Sequence, residues 1–242
     1  MSNDGYFDED VARTYDQNHG GTDPILIQRT VDCLVDLSSF GDVLEFAIGT
    51  GRIAIPLAER GVQIKGIELS AAMVRKLREK ENGSPIEVAI GDMTSAQVQG
   101  TFALVFLVFN TIDNLTSQQA QIACFKNAAR HLGKGGRFLI ETLVPPIQKI
   151  PFGENRLAFA SSCDHFGIDE FDVASQNYTS NHVWIKDGRH MHQSIPFRYA
   201  WPSELDLTAQ LAGMELEHRW SDWDRSPFDR TSTKHISVWK KS

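Results

Sequence analysis

The chain has 242 residues, of which 41% are hydrophobic and 23% are charged, a composition typical of one globular α/β domain with a sizeable core. Its net charge of −7 gives no electrostatic case for nucleic-acid binding, and no apolar stretch is long enough to span a bilayer. Three scattered cysteines, an odd number, favour reduced thiols and a cytoplasmic location.

The first 40 residues predict one or two helices ahead of the main body of the fold. Pro24 favours the start of the second helix, because a proline in the first turn forfeits no hydrogen bond. Tyr15 lies in the first helix. We expect this segment either to close over a binding site as a lid or to pack its aromatic side chains on the sheet.

A glycine-rich loop follows the first predicted strand, which is centred on Leu44. The loop has the sequence Ala47-Ile48-Gly49-Thr50-Gly51-Arg52, and a helix starts at Ile53. Glycines let the backbone turn sharply and approach a ligand, since no Cβ intervenes, and the next helix aims free N–H groups at the loop. The pattern predicts a cofactor site. It also fits a dinucleotide fingerprint with alanine in the third glycine position, so the loop alone leaves the class of cofactor open.

Strands and helices alternate from there to residue 144. The predicted strands centre on Leu44, Ile64, Val88, Val105 and Leu139, and the helices between them cover residues 53–60, 71–80 and 117–132. Such alternation predicts a parallel sheet with helices on both faces. Residues 102–108 are apolar on both alternating faces, as is typical of a central parallel strand.

After Pro145-Pro146 the pattern changes to short strands. Residues 156–162, 171–184 and 189–199 predict an antiparallel element with a hairpin turn at Lys186-Asp187-Gly188-Arg189. A helix at 202–212 and an antiparallel pair at 214–223 and 234–239 follow. The predicted fold class is therefore α/β: a doubly wound, mostly parallel seven-stranded sheet with an antiparallel β cap inserted after the fifth strand.

We expect residues 1–242 to form a single domain. Within it, residues 1–40 form a helical lid, residues 41–144 and 200–242 form the Rossmann-like core, and residues 145–199 form the cap. Because the cap leaves the core at the end of the fifth strand, where open sheets bind ligands, we expect its inner face to cover a substrate.

Three carboxylates at strand ends narrow the choice of cofactor. Glu45 lies inside the first strand, where a dinucleotide fold usually has an apolar residue, and it suits a ligand with an amino-acid end. Glu68 ends the second strand, where it is placed to accept both hydroxyls of a ribose. Asp92, in Gly91-Asp92-Met93, ends the third strand and is placed to accept from an adenine amine. Nicotinamide folds explain only the second of these acids.

At these positions the chain resembles the class I S-adenosylmethionine-dependent methyltransferases. The matching motifs are Glu45-Phe46-Ala47-Ile48-Gly49-Thr50-Gly51, Glu68-Leu69-Ser70 and Gly91-Asp92-Met93, with Ala47 where that family often has a first glycine. The layout is most similar to small-molecule enzymes of this family, including those that methylate amino-sugar nitrogens in antibiotic pathways.

The resemblance implies S-adenosylmethionine as the cofactor and assigns the site residues. The cofactor-binding residues are Glu45, Phe46, Ala47, Gly49, Thr50, Gly51, Arg52, Glu68, Leu69, Met73, Asp92, Met93 and Phe109. The candidate catalytic residues are Tyr15, Asn110 and Glu141, and no metal site is expected. Asn110 either contacts a ligand or starts an Asx turn. Glu141, at the end of the fifth strand, either takes a proton from an acceptor or makes a structural hydrogen bond.

The sequence therefore predicts transfer of a methyl group from S-adenosylmethionine to nitrogen or oxygen of a small metabolite, by an in-line displacement that depends on positioning. The expected partner is a small-molecule acceptor, with no nucleic acid and no membrane, and homodimer formation is left open. Two alternatives remain: a non-catalytic sensor or scaffold that binds S-adenosylmethionine and, less favoured, an NAD(P)-dependent oxidoreductase.

Overall fold

The computed structural model describes residues 6–18, 23–39, 41–186 and 188–242. The helices are α1 Glu9–Asn18, α2 Pro24–Ser38, α3 Ala54–Glu59, α4 Ala71–Glu79, α5 Gln118–His131 and α6 Pro202–Leu211. The strands are β1 Val43–Phe46, β2 Ile64–Glu68, β3 Glu87–Ile90, β4 Phe102–Leu107, β5 Leu132–Leu143, β6 Arg156–Ser161, β7 His165–Asp172, β8 Asn177–Lys186, β9 Arg189–Arg198, β10 Met214–Trp220 and β11 Lys234–Lys241. None of the helices within these described ranges is both long and apolar enough to cross a membrane.

Seven strands form one sheet in the order β10-β11-β5-β4-β1-β2-β3. The pairs among β1 to β5 are parallel, whereas β11 runs antiparallel to both β5 and β10. This arrangement confirms the predicted α/β class, including the antiparallel pair at the end of the chain. The reversal of strand order between β1 and β4 opens a cleft at the carboxyl ends of these strands, where open α/β sheets bind ligands.

Helices cover the sheet on both faces because its central strands are apolar on both. Leu104 and Phe106 of β4 pack toward α2 and α3, while Val105 and Leu107 pack toward α5 and α6. All four side chains are fully buried. Burial of each such side chain stabilises the fold by about 1.5–3 kcal/mol, so this double packing fixes β4 firmly. A rigid β4 in turn fixes the backbone that follows it at the cleft.

A second, four-stranded antiparallel sheet has the order β6-β7-β8-β9, and we refer to it as the cap sheet. The prediction of a single strand over residues 171–184 is wrong, because this stretch contains the end of β7, a turn and most of β8. Asp172 makes that turn: its carboxylate accepts from Ala174 N at 3.0 Å and from Ser175 Oγ at 2.6 Å. The predicted β8–β9 hairpin is present, although Asp187 of its turn lies outside the described residues.

Candidate active site

The glycine loop leaves β1 with three residues in left-handed backbone. Ala47, Gly49 and Gly51 have φ angles of 52°, 58° and 79°. A Cβ on Gly51 would lie 3.0 Å from the Leu77 side chain, so glycine is needed there for space as well as for its backbone freedom. Ala47 adopts the same conformation without that freedom. The loop therefore turns back tightly and keeps its backbone at the carboxyl edge of the sheet.

Glu68 fastens this loop to the end of β2. Its side chain is buried, and its two oxygens accept hydrogen bonds from the backbone N–H groups of Gly49 and Ser70, each at 2.8 Å. Glu68 thus lies against the loop at the position where the sequence predicts contact with a ribose.

Glu45 is the most unusual group at the site. It is 4% exposed on β1, and its Oε2 atom has no hydrogen-bond partner among the described residues. Burial raises the pKa of Glu45 well above its ordinary value, against the opposing effect of Arg52 and with a further rise from Glu68. Buried polar atoms are nearly always paired in native proteins. An orphaned carboxylate oxygen here fits a ligand that brings a donor, such as an ammonium group.

The turn after β3 carries the third predicted acid. Asp92 is exposed, and its Oδ1 atom accepts from Thr94 N at 2.7 Å. The side chain of Met93 points instead into the buried core beneath α5. Asn127 of α5 holds this turn, because its Nδ2 donates to the carbonyls of Met93 and Ala96 at 2.9 Å each. The carboxylate of Asp92 is therefore held at the carboxyl edge with its open side to solvent.

Two predicted contacts, Phe46 and Leu69, have contrasting surroundings. Phe46 is buried in the core, with its ring centroid 6.1 Å from His131 and 6.3 Å from Phe138. Any contact of Phe46 with a ligand at the cleft consequently comes from its backbone. Leu69 is half-buried and follows Glu68 directly at the carboxyl end of β2.

The N-terminal segment closes on the glycine loop from outside. Thr50 Oγ1 donates to Asp16 Oδ1 of α1 at 2.6 Å. The hydroxyl of Ser70, at the start of α4, donates to the Phe7 carbonyl at 2.6 Å. Two short hydrogen bonds from separate strand ends thus attach this segment to the site, a location compatible with the expected lid.

Tyr15 packs beside a small apolar cluster formed by Ala12, Ala72 and Met73. Burial raises the pKa of Tyr15, while the positive charge of Arg52 lowers it. The phenol therefore remains protonated at neutral pH. Met73, a predicted cofactor residue, lies under the loop, 3.6 Å from where a Cβ on Gly49 would sit.

The chain after β4 forms the opposite wall of the cleft. Phe109 and Asn110 are both left-handed, with φ angles of 62° and 57°. The guanidinium of Arg52 lies 4.3 Å from the centroid of the Phe109 ring. Few residues other than glycine adopt left-handed backbone angles, so two in succession need strong support from their surroundings.

Glu141 of β5 supplies that support. Its Oε2 accepts from Phe109 N at 3.1 Å, and its carbonyl accepts from Asn110 N at 3.2 Å. Its Oε1 accepts from the indole Nε1 of Trp223 at 3.1 Å and lies 4.0 Å from Lys234 Nζ. These contacts favour a positioning role for Glu141, and its role as a proton acceptor stays a prediction.

A cavity of about 190 Å³ opens between α2, the carboxyl ends of β4 and β5 and the amino end of β11, and we refer to it as the acceptor-side cavity. Its apolar wall includes Leu26, Ile27, Ile53, Val108, Leu143 and Trp223. Its more polar wall includes Thr30, Arg52, Phe109, Asn110, Glu141 and Lys234. All of these residues lie outside the cap sheet, so the expected role of the cap in covering a substrate stays a prediction. The sequence predicts Trp223 and Lys234 only as strand ends and marks neither Leu26 nor Ile27 as a site residue.

Asp113 joins the cap sheet to the core. It lies in the 3₁₀ turn Thr111–Asn114 after β4 and is 4% exposed. Its carboxylate accepts from Tyr178 Oη of β8 at 3.1 Å and from Thr142 Oγ1 at 3.4 Å. Burial raises the pKa of Asp113 to about 7, although the hydrogen bonds from Tyr178 and Thr142 and the charge of Arg198 oppose the rise.

Comparison with known proteins places these features in a family. A family model described as a methyltransferase domain matches residues 43–136, which contain the glycine loop and all three acids. Among characterised relatives, the cypemycin N-terminal methyltransferase of a Streptomyces species is 24% identical over 208 residues, covering 81% of each chain.

Solved structures extend the similarity to nearly the whole chain. The CcbJ methyltransferase from Streptomyces caelestis is 31% identical, with a TM-score of 0.85 over 96% of both chains. CalS10, an amino pentose methyltransferase from Micromonospora echinaspora, has a TM-score of 0.70 over 98% of both chains but only 17% identity, so it shows the fold alone.

Proposed function

The chain belongs to the class I S-adenosylmethionine-dependent methyltransferases, and on that premise we propose that it methylates a nitrogen or oxygen atom of a small metabolite. The cypemycin relative is an N-terminal methyltransferase, which favours nitrogen. The observation that carries the proposal is the acceptor-side cavity directly beside the glycine loop. The comparisons favour neither an oxidoreductase nor a non-catalytic sensor.

The residues of the loop and strand ends fit S-adenosylmethionine. When bound, this cofactor supplies a methyl group on a positively charged sulfur. Glu45 would accept from its ammonium group, Glu68 from its ribose hydroxyls and Asp92 from its adenine amine. The strongest support is the buried, unpaired Oε2 of Glu45, because a ligand donor would remove the free-energy penalty of leaving it unsatisfied.

The opposite half of the cleft would hold the acceptor. Methyl transfer depends mainly on alignment, so rigid walls matter more than strong acids or bases. Asn110 would orient the acceptor, and Glu141 would hold the backbone of Phe109 between the two ligands. Tyr15 would close the cofactor side and keep water out.

We also infer a single functional domain. The segment 1–40 would act as the lid, the core 41–144 with 200–242 would bind the cofactor, and the cap 145–199 would help to enclose the acceptor. Support comes from the hydrogen bonds of Asp16 and Phe7 to the cofactor half and from Tyr178 on Asp113.

Thermal unfolding tests the choice of cofactor. S-adenosylmethionine and its demethylated product S-adenosylhomocysteine should each stabilise the protein, whereas NAD and NADP should not. At a hundredfold excess over the dissociation constant, binding to the folded state adds about 2.7 kcal/mol, which raises Tm by roughly 5–10 °C for a chain of this size. A shift with NAD and none with S-adenosylmethionine would refute the proposal. Incubation with methyl-labelled S-adenosylmethionine and a metabolite extract then tests transfer itself.

Glu68→Gln tests the proposed ribose contact. We expect S-adenosylhomocysteine to bind about ten- to a hundredfold more weakly, because hydrogen bonds to a charged group contribute roughly 1.5–3 kcal/mol. Calorimetric titration well below Tm measures the change, and Glu215→Gln, at an exposed position on β10, is the matched control. Unchanged affinity in a folded Glu68→Gln protein would remove Glu68 from the site.

A further inference from the structure

The acceptor-side cavity differs in charge from the chain as a whole. The chain has a net charge of −7, yet the charged residues that line this cavity are two cations, Arg52 and Lys234, and one carboxylate, Glu141. A cofactor with a sulfonium centre in the neighbouring half of the cleft would add positive charge. Charged groups in a partly enclosed cleft select ligands of complementary charge.

Lys234 is the cation available to an acceptor. Arg52 stacks on Phe109 and interacts electrostatically with Glu45 in the cofactor half of the cleft. Among the described residues, the one ion pair of Lys234 is with Glu141, at 4.0 Å. Lys234 also interacts electrostatically with Asp222, and its side chain is 37% exposed. A lysine ammonium carries three donors, so a single long contact leaves it able to bind a further anion.

Glu141 does not compete strongly for that cation. Its oxygens accept shorter bonds from Phe109 N and Trp223 Nε1, both at 3.1 Å. Its side chain is 14% exposed, against 37% for Lys234. The carboxylate oxygens are therefore already bonded to the protein, and the Lys234 ammonium is the more exposed charged group of this pair.

The apolar residues that line the cavity suit the hydrocarbon part of a ligand. Leu26 and Ile27 of α2 face the cavity from one side, and Trp223 and Leu143 face it from the other. Leu143 lies directly opposite Lys234 in the β5–β11 pair. The apolar wall and the Lys234 side chain thus meet where β5 pairs with β11.

We propose that the methyl acceptor is an acid with an apolar body and a separate amine or hydroxyl group that takes the methyl, whose carboxylate binds the Lys234 ammonium while its body packs between α2 and Trp223. This inference rests on the proposed methyltransferase function and names its substrate class. Lys234 becomes the residue that determines specificity for the acceptor, separate from the groups that bind the cofactor.

Three ligands of equal shape test the assignment: 4-phenylbutyrate, its neutral amide and the corresponding amine. Each is titrated calorimetrically into protein saturated with S-adenosylhomocysteine. We expect the carboxylate to bind at least about tenfold more tightly than the amide, as for a charge-assisted hydrogen bond. In Lys234→Met this preference should fall to about twofold or less, with amide affinity unchanged, and Lys234→Arg should restore much of it.

Lys240→Met, near the other end of the same strand, is the matched control and should keep the full preference. Equal binding of acid and amide to the native protein, tighter binding of the amine, or no binding of any of the three would overturn the proposal. S-adenosylhomocysteine affinity, measured first, reports folding of each variant. If the native protein does not bind S-adenosylhomocysteine, the proposed methyltransferase function itself is refuted. This outcome is distinct from failure of the acid-binding proposal, in which S-adenosylhomocysteine binds but the acid is not preferred.

Discussion

Replacing Arg198 by methionine will destabilise the protein by about 3–5 kcal/mol, because it removes one partner of a buried ion pair. Arg198 is 4% exposed at the end of β9. Its guanidinium donates to Glu204 Oε1 of α6 at 2.7 Å and to Gln121 Oε1 of α5 at 2.6 Å. Burial favours protonation of Glu204, but hydrogen bonds from Gln176, Arg198 and Gln118 outweigh it and lower its pKa. Without Arg198, this carboxylate loses its only counter-ion among the described residues.

Urea unfolding measures this loss. Arg156→Met is the control, since Arg156 also lies in the cap sheet but pairs with Glu170 at the exposed surface, where an ion pair contributes about 1 kcal/mol or less. Arg198→Lys should recover part of the stability, because one of the two bonds survives. A loss below about 1 kcal/mol in Arg198→Met would mean that the cap sheet is anchored to the core mainly by other contacts.

The core of the fold could be predicted because its signals are local. The stretch around Val105 is apolar on both faces, and the glycine loop stands between a strand and a helix in consecutive residues. Each of these patterns has one common structural solution. The boundary between β7 and β8 was missed because Val173 and Ala174 extend the apolar pattern through the turn. The antiparallel pairing of β7 with β8 and the side-chain bonds of Asp172 show that the chain reverses there.

The two halves of the cleft also differ in how far the sequence predicts them. The cofactor half depends on acids that end successive strands, such as Glu45 and Glu68, so the order of elements alone brings them together. The acceptor half combines Leu26, Glu141 and Lys234, which come from distant parts of the chain. No spacing rule relates such residues, because their proximity follows from how α2 and the last hairpin pack against the sheet. Specificity therefore lies in the part of the site that tertiary packing creates.

Asp113→Asn will change the pH dependence of stability by on the order of 4 kcal/mol between pH 4 and pH 8. Folding raises the pKa of Asp113 from 3.8 to about 7 because the side chain is buried between β4, β5 and the cap sheet. The folded protein therefore binds more protons than the unfolded chain between these values. The resulting stabilisation is complete below about pH 4 and is lost as the pH rises through 7. The magnitude follows from about 1.4 kcal/mol for each unit of pKa difference.

The amide introduced by Asp113→Asn retains an oxygen that accepts from Tyr178 or Thr142 but has no charge to lose or gain. Free energies of unfolding in urea at pH 4, 5, 6, 7 and 8 should thus diverge, mainly between pH 4 and pH 7, with the variant gaining on the native protein as the pH increases. Asp42→Asn, at an exposed position before β1, should follow the native curve. Parallel curves for Asp113→Asn and the native protein would mean that folding leaves the pKa of Asp113 unchanged. Tyr178 would then donate to a charged carboxylate throughout this pH range, and docking of the cap sheet would take up no proton.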